Sequence, residues 1–199
     1  MTADHWDGRY ATIGDTNVSW FQPVPQNSLD LVCAVASAGA GIVDVGGGAS
    51  TLVDHLLERG YHDLTVVDLS QQALASAQAR IGDAPVRWVV SDIREWEPAR
   101  TFDVWHDRAA YHFLTDPDDQ QRYWALVRAS VPVGGHVVIA TFAEDGPQMC
   151  SGLPVQRYSL DALVSAMGAG FVVADTRREQ HVTPTGGEQS FLWLSATRT

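Results

Sequence analysis

Short apolar runs without polar alternation recur along the chain, at Gly41–Val45, Leu64–Asp68, Val86–Val90, Phe102–His106 and His136–Phe142. Uninterrupted runs of this length suit strands covered on both faces. Between them the apolar spacing becomes helical, over Ser50–Arg59, Gln71–Arg80 and Pro117–Ser130. Strand and helix in alternation predict a parallel α/β sheet. After Phe142 the rhythm changes. A loop rich in Gly and Pro, Glu144–Pro154, leads to a short helix, Leu160–Met167. Two strands follow, Phe171–Glu179 and Ser190–Ala196, joined by a turn around Pro184–Gly187. A hairpin in that position makes the last strand antiparallel. The expectation is one α/β domain over residues 1–199, doubly wound on a seven-stranded, mostly parallel sheet with an antiparallel last strand.

The first run ends in Asp44 and breaks into Gly46, Gly47 and Gly48 before a leucine-rich helical pattern. That is a buried strand, a tight turn and a helix start, where a ligand can lie against bare backbone. Dinucleotide sites use the same device, but the third glycine of their fingerprint falls here at Thr51. In a doubly wound sheet, ligands bind at the C-terminal strand ends. Those ends read Asp44-Val-Gly46, Asp68-Leu69-Ser70, Ser91-Asp92-Ile93 and His106-Asp107-Arg108. Asp68 is placed to take two ribose hydroxyls, Asp92 to meet an adenine amino group, and Asp44 to orient the turn or take an ammonium. Aspartate and serine also cap helices and turns, which is the plain reading of Ser70 and Asp116.

Charge narrows the partners. Acidic residues outnumber basic ones and the net charge is −11, which argues against a nucleic-acid backbone as partner. No apolar run reaches membrane-spanning length, and the first thirty residues lack a signal-peptide pattern. Cys33 and Cys150 are far apart and match no ligand spacing, so no metal and a reduced, cytoplasmic setting are expected.

Together these motifs resemble a class I S-adenosylmethionine-dependent methyltransferase, and the similarity covers nearly the whole chain. Asp44-x-Gly46-x-Gly48 matches that family's first motif, Asp68 its ribose acid, Asp92 its adenine-side acid, and Phe102-Asp103-Val104 the opening of its fourth motif. Gly134-Gly135 stands where the family has Pro-Gly-Gly, with the proline displaced to Pro132. The resemblance implies the Rossmann-like methyltransferase fold, S-adenosylmethionine as cofactor and S-adenosylhomocysteine as product. Trp20, Asp44, Gly46, Gly47, Gly48, Asp68, Leu69, Ser70, Asp92, Ile93 and His106 are the residues expected to hold the cofactor.

The acceptor side is expected from segments outside these motifs. Residues 1–30, with Trp6 and Tyr10 at helical spacing and Trp20 beside prolines, suit a lid that excludes water; pinning to the core is the alternative. Residues 143–158 suit a substrate-side loop. Asp107 and Arg108 are read as fixing the loop after the fourth strand, with Arg108 also a clamp for the N-terminal segment or a cofactor carboxylate. His106, His112, Cys150 and His181 are expected to converge on one rim, with His112 or His181 as general base. The longer pattern, including Cys150-Ser151-Gly152-Leu153-Pro154 and Gln189-Ser190-Phe191, is similar to a bacterial subgroup resembling thiol and sulfide methyltransferases. A small-molecule acceptor, a thiol or sulfide, is therefore expected. A protein lysine methyltransferase is one alternative, with Asp116, Asp118, Asp119, Glu144 and Asp145 as an acidic channel. A non-catalytic cofactor-binding module is the other.

Overall fold

The computed structural model describes residues 2–199. Its main sheet has seven strands: β1 (Ile42–Val45), β2 (Leu64–Asp68), β3 (Val86–Val90), β4 (Val104–Arg108), β5 (His136–Phe142), β8 (Phe171–Val182) and β9 (Glu188–Arg198). They are ordered β3-β2-β1-β4-β5-β9-β8. The first five pair in parallel, and β9 inserts antiparallel between β5 and β8. The sheet reverses its winding between β1 and β4, so the site should lie at their C-terminal ends.

Helices α2 (Gln26–Val35), α3 (Leu52–Glu58) and α4 (Gln71–Ile81) cover one face, and α5 (Pro117–Ser130) and α6 (Leu160–Met167) the other. Each face has its own core. Val104, Ile42 and Trp193 pack under α2 and α3, whereas Trp105, Val43 and Leu194 pack under α5 and α6. The period-two alternation of side chains makes this division. It also decides the site, because Asp44, His106 and Arg108 fall on the α2 face while Asp107 falls on the α5 face.

Several elements match their sequence limits and others do not. The predicted spans of β2, β3, β5, α5 and α6 are observed. β4 runs two residues further, to Arg108, so Asp107 and Arg108 are strand residues rather than loop residues. Both hairpin strands are longer than expected. Helix α2, absent from the expected elements, forms because Leu29 and Val32 bury on one side while Asp30 stays exposed. The Gly- and Pro-rich loop folds back as a two-stranded ribbon, β6 (Met149–Cys150) with β7 (Leu153–Pro154). Helix α1 (Ala3–Ile13) carries Trp6 and Tyr10 on its buried side.

Candidate active site

The glycine turn leaves β1 with Gly46 at φ 67° and Gly48 at φ 46°, a region that favours glycine. Space is equally limiting. A β-carbon at Gly46 would stand 2.5 Å from that of Ala110, and one at Gly47 would stand 2.6 Å from Asp44 Oδ2. A β-carbon at Gly48 would stand 2.8 Å from the Tyr10 hydroxyl and 3.0 Å from Asp68 Oδ2. The turn is thus pressed between the strand-end acids and the N-terminal helix.

Two adjoining cavities lie above it. The larger runs from Asp68, Leu69, Asp92 and Ile93 to an aromatic chamber of Trp6, Phe113, Phe142 and Phe191, with Cys150 and Gln189. The smaller is lined by Ser28, Asp44, Gly46, Gly47 and His106, with Asp15 also on its wall. Tyr10, Trp20, Gly46 and Arg108 border both.

Asp68 accepts from the Ser70 backbone N–H at 2.7 Å. Burial, followed by the nearby Asp44 charge, pushes its carboxyl up to about 7 against the pull of its backbone donors. Ser70 lines neither cavity. It caps α4 by accepting from Ala73 N, and its hydroxyl donates to Asp7 of α1 at 2.6 Å. Asp92 takes the Arg94 backbone and guanidinium. Burial opposes ionisation there, but the Arg94 hydrogen bonds prevail and the carboxyl lies below its ordinary value.

The last three residues of β4 separate by face. His106 reaches Asp44 Oδ1 through Nδ1 at 2.7 Å. Arg108 donates Nη1–H to the Trp20 carbonyl at 2.9 Å, and its guanidinium lies 4.8 Å over the Phe191 ring. Its Nε and Nη2 are buried and without hydrogen-bond partners. Burial lowers its pKa. Asp107, by contrast, is turned away from both cavities. It accepts from the Tyr123 hydroxyl at 2.7 Å and from the backbone of Ala110 and Tyr111, which fixes the turn after β4. Burial pushes its carboxyl up to about 6. In that turn Ala109 takes φ 67°, rare for a residue with a side chain, and faces the cavity.

The expected rim of four reactive groups does not form. Of His106, His112, Cys150 and His181, only Cys150 lines the larger cavity, and only His106 the smaller. His112 is fully buried between Phe113 and Phe142, and its Nδ1 accepts from the Phe142 backbone at 3.3 Å. Burial, then the charge of Arg108, lowers it to about 3. His181 donates Nε2–H to the Ser19 carbonyl at 2.8 Å, and burial lowers its pKa too. It pins the N-terminal segment to the hairpin. The corrections share one cause: sequence gives the strand end but not the face a side chain takes beyond it.

Gln189, Phe191, Phe142, Phe113 and Ala109, which line the chamber, were not singled out as site residues. Phe191 and Gln189 were visible as part of the hairpin pattern, but only pairing of β9 beside β5 brings them to this edge. The acids considered for a lysine channel, Asp116, Asp118, Asp119, Glu144 and Asp145, line neither cavity. Asp116 caps α5. Among the described residues, no three His, Cys, Asp or Glu side chains are grouped to hold a metal. No helix among them is long and apolar enough to cross a membrane.

This sheet order, with its glycine turn and strand-end acids, is the Rossmann-like methyltransferase fold. Residues 42–135 match the family described as methyltransferase domain, and that segment holds the whole set from Asp44 to Arg108. An uncharacterised methyltransferase of Mycobacterium tuberculosis (strain ATCC 25618 / H37Rv) is 32% identical over 113 residues, 56% of this chain and 54% of the relative. The chain thus spans about half the length of that curated relative. A solved structure described under "Conversion of a Disulfide Bond into a Thioacetal Group during Echinomycin Biosynthesis" superposes with a TM-score of 0.77 at 20% identity, over 99% of this chain and 93% of that one. The 1,6-didemethyltoxoflavin-N1-methyltransferase of Burkholderia thailandensis, with its substrate and S-adenosylhomocysteine, gives 0.73 at 22%, over 98% of this chain and 84% of that one.

Proposed function

We propose that this chain is an S-adenosylmethionine-dependent methyltransferase acting on a small-molecule acceptor, a thiol or a sulfide. One observation carries the reading. A single cavity joins a nucleoside-like end, marked by Asp68 and Asp92, to an aromatic chamber that holds no histidine and no carboxylate.

The residues fit the cofactor. Asp68 is half-buried beside the turn with one oxygen against Gly48, suited to paired ribose hydroxyls. Asp92 and Ile93 flank the place for adenine. Asp44 suits an α-ammonium, and the two unpartnered N–H groups of Arg108 suit a carboxylate. When bound, S-adenosylmethionine supplies a methyl group on a cationic sulfur for in-line displacement, leaving S-adenosylhomocysteine.

The chamber chooses among acceptors by what it lacks. Cys150 is its one thiol among the described residues, and burial pushes that thiol up to about 11. Tyr10 is raised further by burial and by Asp68. Neither takes a proton near neutral pH. His112 and His181 line no part of the chamber. The acceptor must therefore arrive with a free lone pair. A thiol of pKa about 8.5 is partly ionised at pH 7 to 8, and a sulfide has no proton to lose. A lysine ammonium, at about 10.4, would need the missing base. The aromatic walls hold the acceptor in line and exclude water. The fold neighbours named above concern both sulfur chemistry and N-methylation, so the chamber rather than the fold carries the choice.

The test is transfer of a labelled methyl group to sulfide, small thiols, phenols, amines and whole-cell protein extract. Label on thiols or sulfide is the expected result. Label in the protein fraction alone overturns the acceptor proposal. Cofactor binding without turnover on any class favours a regulatory module instead.

A further inference from the structure

β1 and β4 are central neighbours, and their register sets Asp44 beside His106. In a parallel pair, partners in register project to the same face. The imidazole Nδ1 lies 2.7 Å from Asp44 Oδ1, and Nε2 lies 3.0 Å from the Ser28 hydroxyl on α2. All three side chains are buried, at 6%, 2% and 1% exposure for Asp44, His106 and Ser28. Both ring nitrogens are thereby committed. The Trp193 ring, 6.3 Å away and tilted by 36°, flanks the imidazole.

This arrangement decides which oxygen of Asp44 is available. Oδ1 belongs to His106, whereas Oδ2 lies under Gly47, where a β-carbon would come within 2.6 Å. The smaller cavity is bordered by this acid, by Asp15 and by the Arg108 guanidinium. A carboxylate facing a guanidinium across a small cavity matches a zwitterion, an ammonium and a carboxylate on one carbon. Free to rotate, a lone aspartate would lose part of that match to its own side-chain entropy.

We propose that His106, backed by Ser28, is a positioning residue that locks the Asp44 carboxylate for the α-ammonium of the cofactor's amino-acid tail. The inference rests on the donor-site reading above and assigns His106 no contact with the reacting atoms. In the neutral imidazole, Nδ1–H donates to Asp44 and Nε2 accepts the Ser28 hydroxyl proton, so the chain of bonds is complete in one tautomer. Helix α2 thus enters the donor site through one hydroxyl. A consequence is selectivity: the relay affects only ligands that carry the tail.

Two ligands separate this from a general structural role. S-Adenosylhomocysteine has the tail, and 5′-methylthioadenosine is the same adenosine thioether without it. Calorimetry on the full chain should show His106→Ala weakening S-adenosylhomocysteine about tenfold or more, the scale of one charge-assisted hydrogen bond. Binding of 5′-methylthioadenosine should change less than about twofold, since the tail's partners are not in use. His106→Asn, which keeps an N–H donor near the Nδ1 position, should recover part of the loss. Ser28→Ala, a one-oxygen deletion, should give a smaller loss with the same ligand selectivity, and it serves if His106→Ala does not fold. Equal losses for both ligands overturn the proposal, as does an unchanged affinity for S-adenosylhomocysteine. If the unaltered protein binds neither ligand, the donor-site reading itself fails. If it binds both equally, that reading stands and the tail subsite is wrong.

Discussion

Asp68 is where the sequence spoke most plainly and where the structure adds a cost. An acid at the end of the second strand was legible as a ribose ligand, but the desolvation of its carboxyl was not. Its carboxyl is pushed to about 7 from an ordinary value of 3.8. Between those values the folded chain holds a proton that the unfolded chain releases. Stability of the ligand-free protein therefore falls as pH rises through that window, and the penalty is fully present above 7. Asp68→Asn should raise the melting temperature at pH 8, at roughly 2–4 °C per kcal/mol for a chain of this size. The same variant should show no melting shift with S-adenosylhomocysteine. A retained shift in differential scanning fluorimetry would remove Asp68 from the site. In the unaltered protein, ligand affinity should weaken below pH 7, as the carboxylate protonates. The histidines give a second prediction at this scale. Neither His112, lowered to about 3 by burial, nor His181, tied to Ser19, borders the chamber. His112→Asn and His181→Asn should leave the pH dependence of kcat where it was, whatever they do to stability. Loss of an ionisation near neutral pH in either profile would reinstate that residue as the base.

Among elements, the parallel strands were readable because apolar runs bounded by Gly, Pro and Asp have few other solutions. β4 was harder. His106-Asp107-Arg108 looks polar enough to have left the sheet, yet His106 meets Ser28 of α2, Asp107 meets Tyr123 of α5, and Arg108 is held through one nitrogen by the Trp20 carbonyl. Helix α2 escaped notice because its apolar stripe is short and no capping side chain marks its start. The N-terminal segment is held at points that no local pattern reveals. Asp7 takes the Ser70 hydroxyl and the Gln72 N–H, Ser19 takes His181, Trp20 takes Arg108, and Gln22 donates to Glu179 at 2.6 Å. We propose that this segment acts as the lid of the site. Asp7→Ala should then speed proteolytic cleavage within residues 2–25 and raise the dissociation rate of S-adenosylhomocysteine severalfold, with the rest of the domain still resistant. Cleavage at the unaltered rate would mean that α1 is fixed by its aromatic contacts alone.

At the scale of the whole molecule, an acidic, two-faced α/β domain was predictable from the alternation of elements, whereas the enclosure of its site was not. Enclosure depends on long-range pairings, above all β9 against β5 and the N-terminal segment against β8, which sequence spacing does not encode. The same segment walls both halves of the cavity. Tyr10 stands over Gly48 and Asp68, and Trp6 meets Phe113 edge-on with ring centroids 5.1 Å apart. On the lid proposal, donor and acceptor share one door, and a single opening frees both products in one kinetic event rather than two. Turnover limited by that opening should slow as solvent viscosity is raised, to the same degree for acceptors of very different reactivity. A viscosity effect that follows the acceptor instead would place the slow step in the chemistry, behind a door already shut.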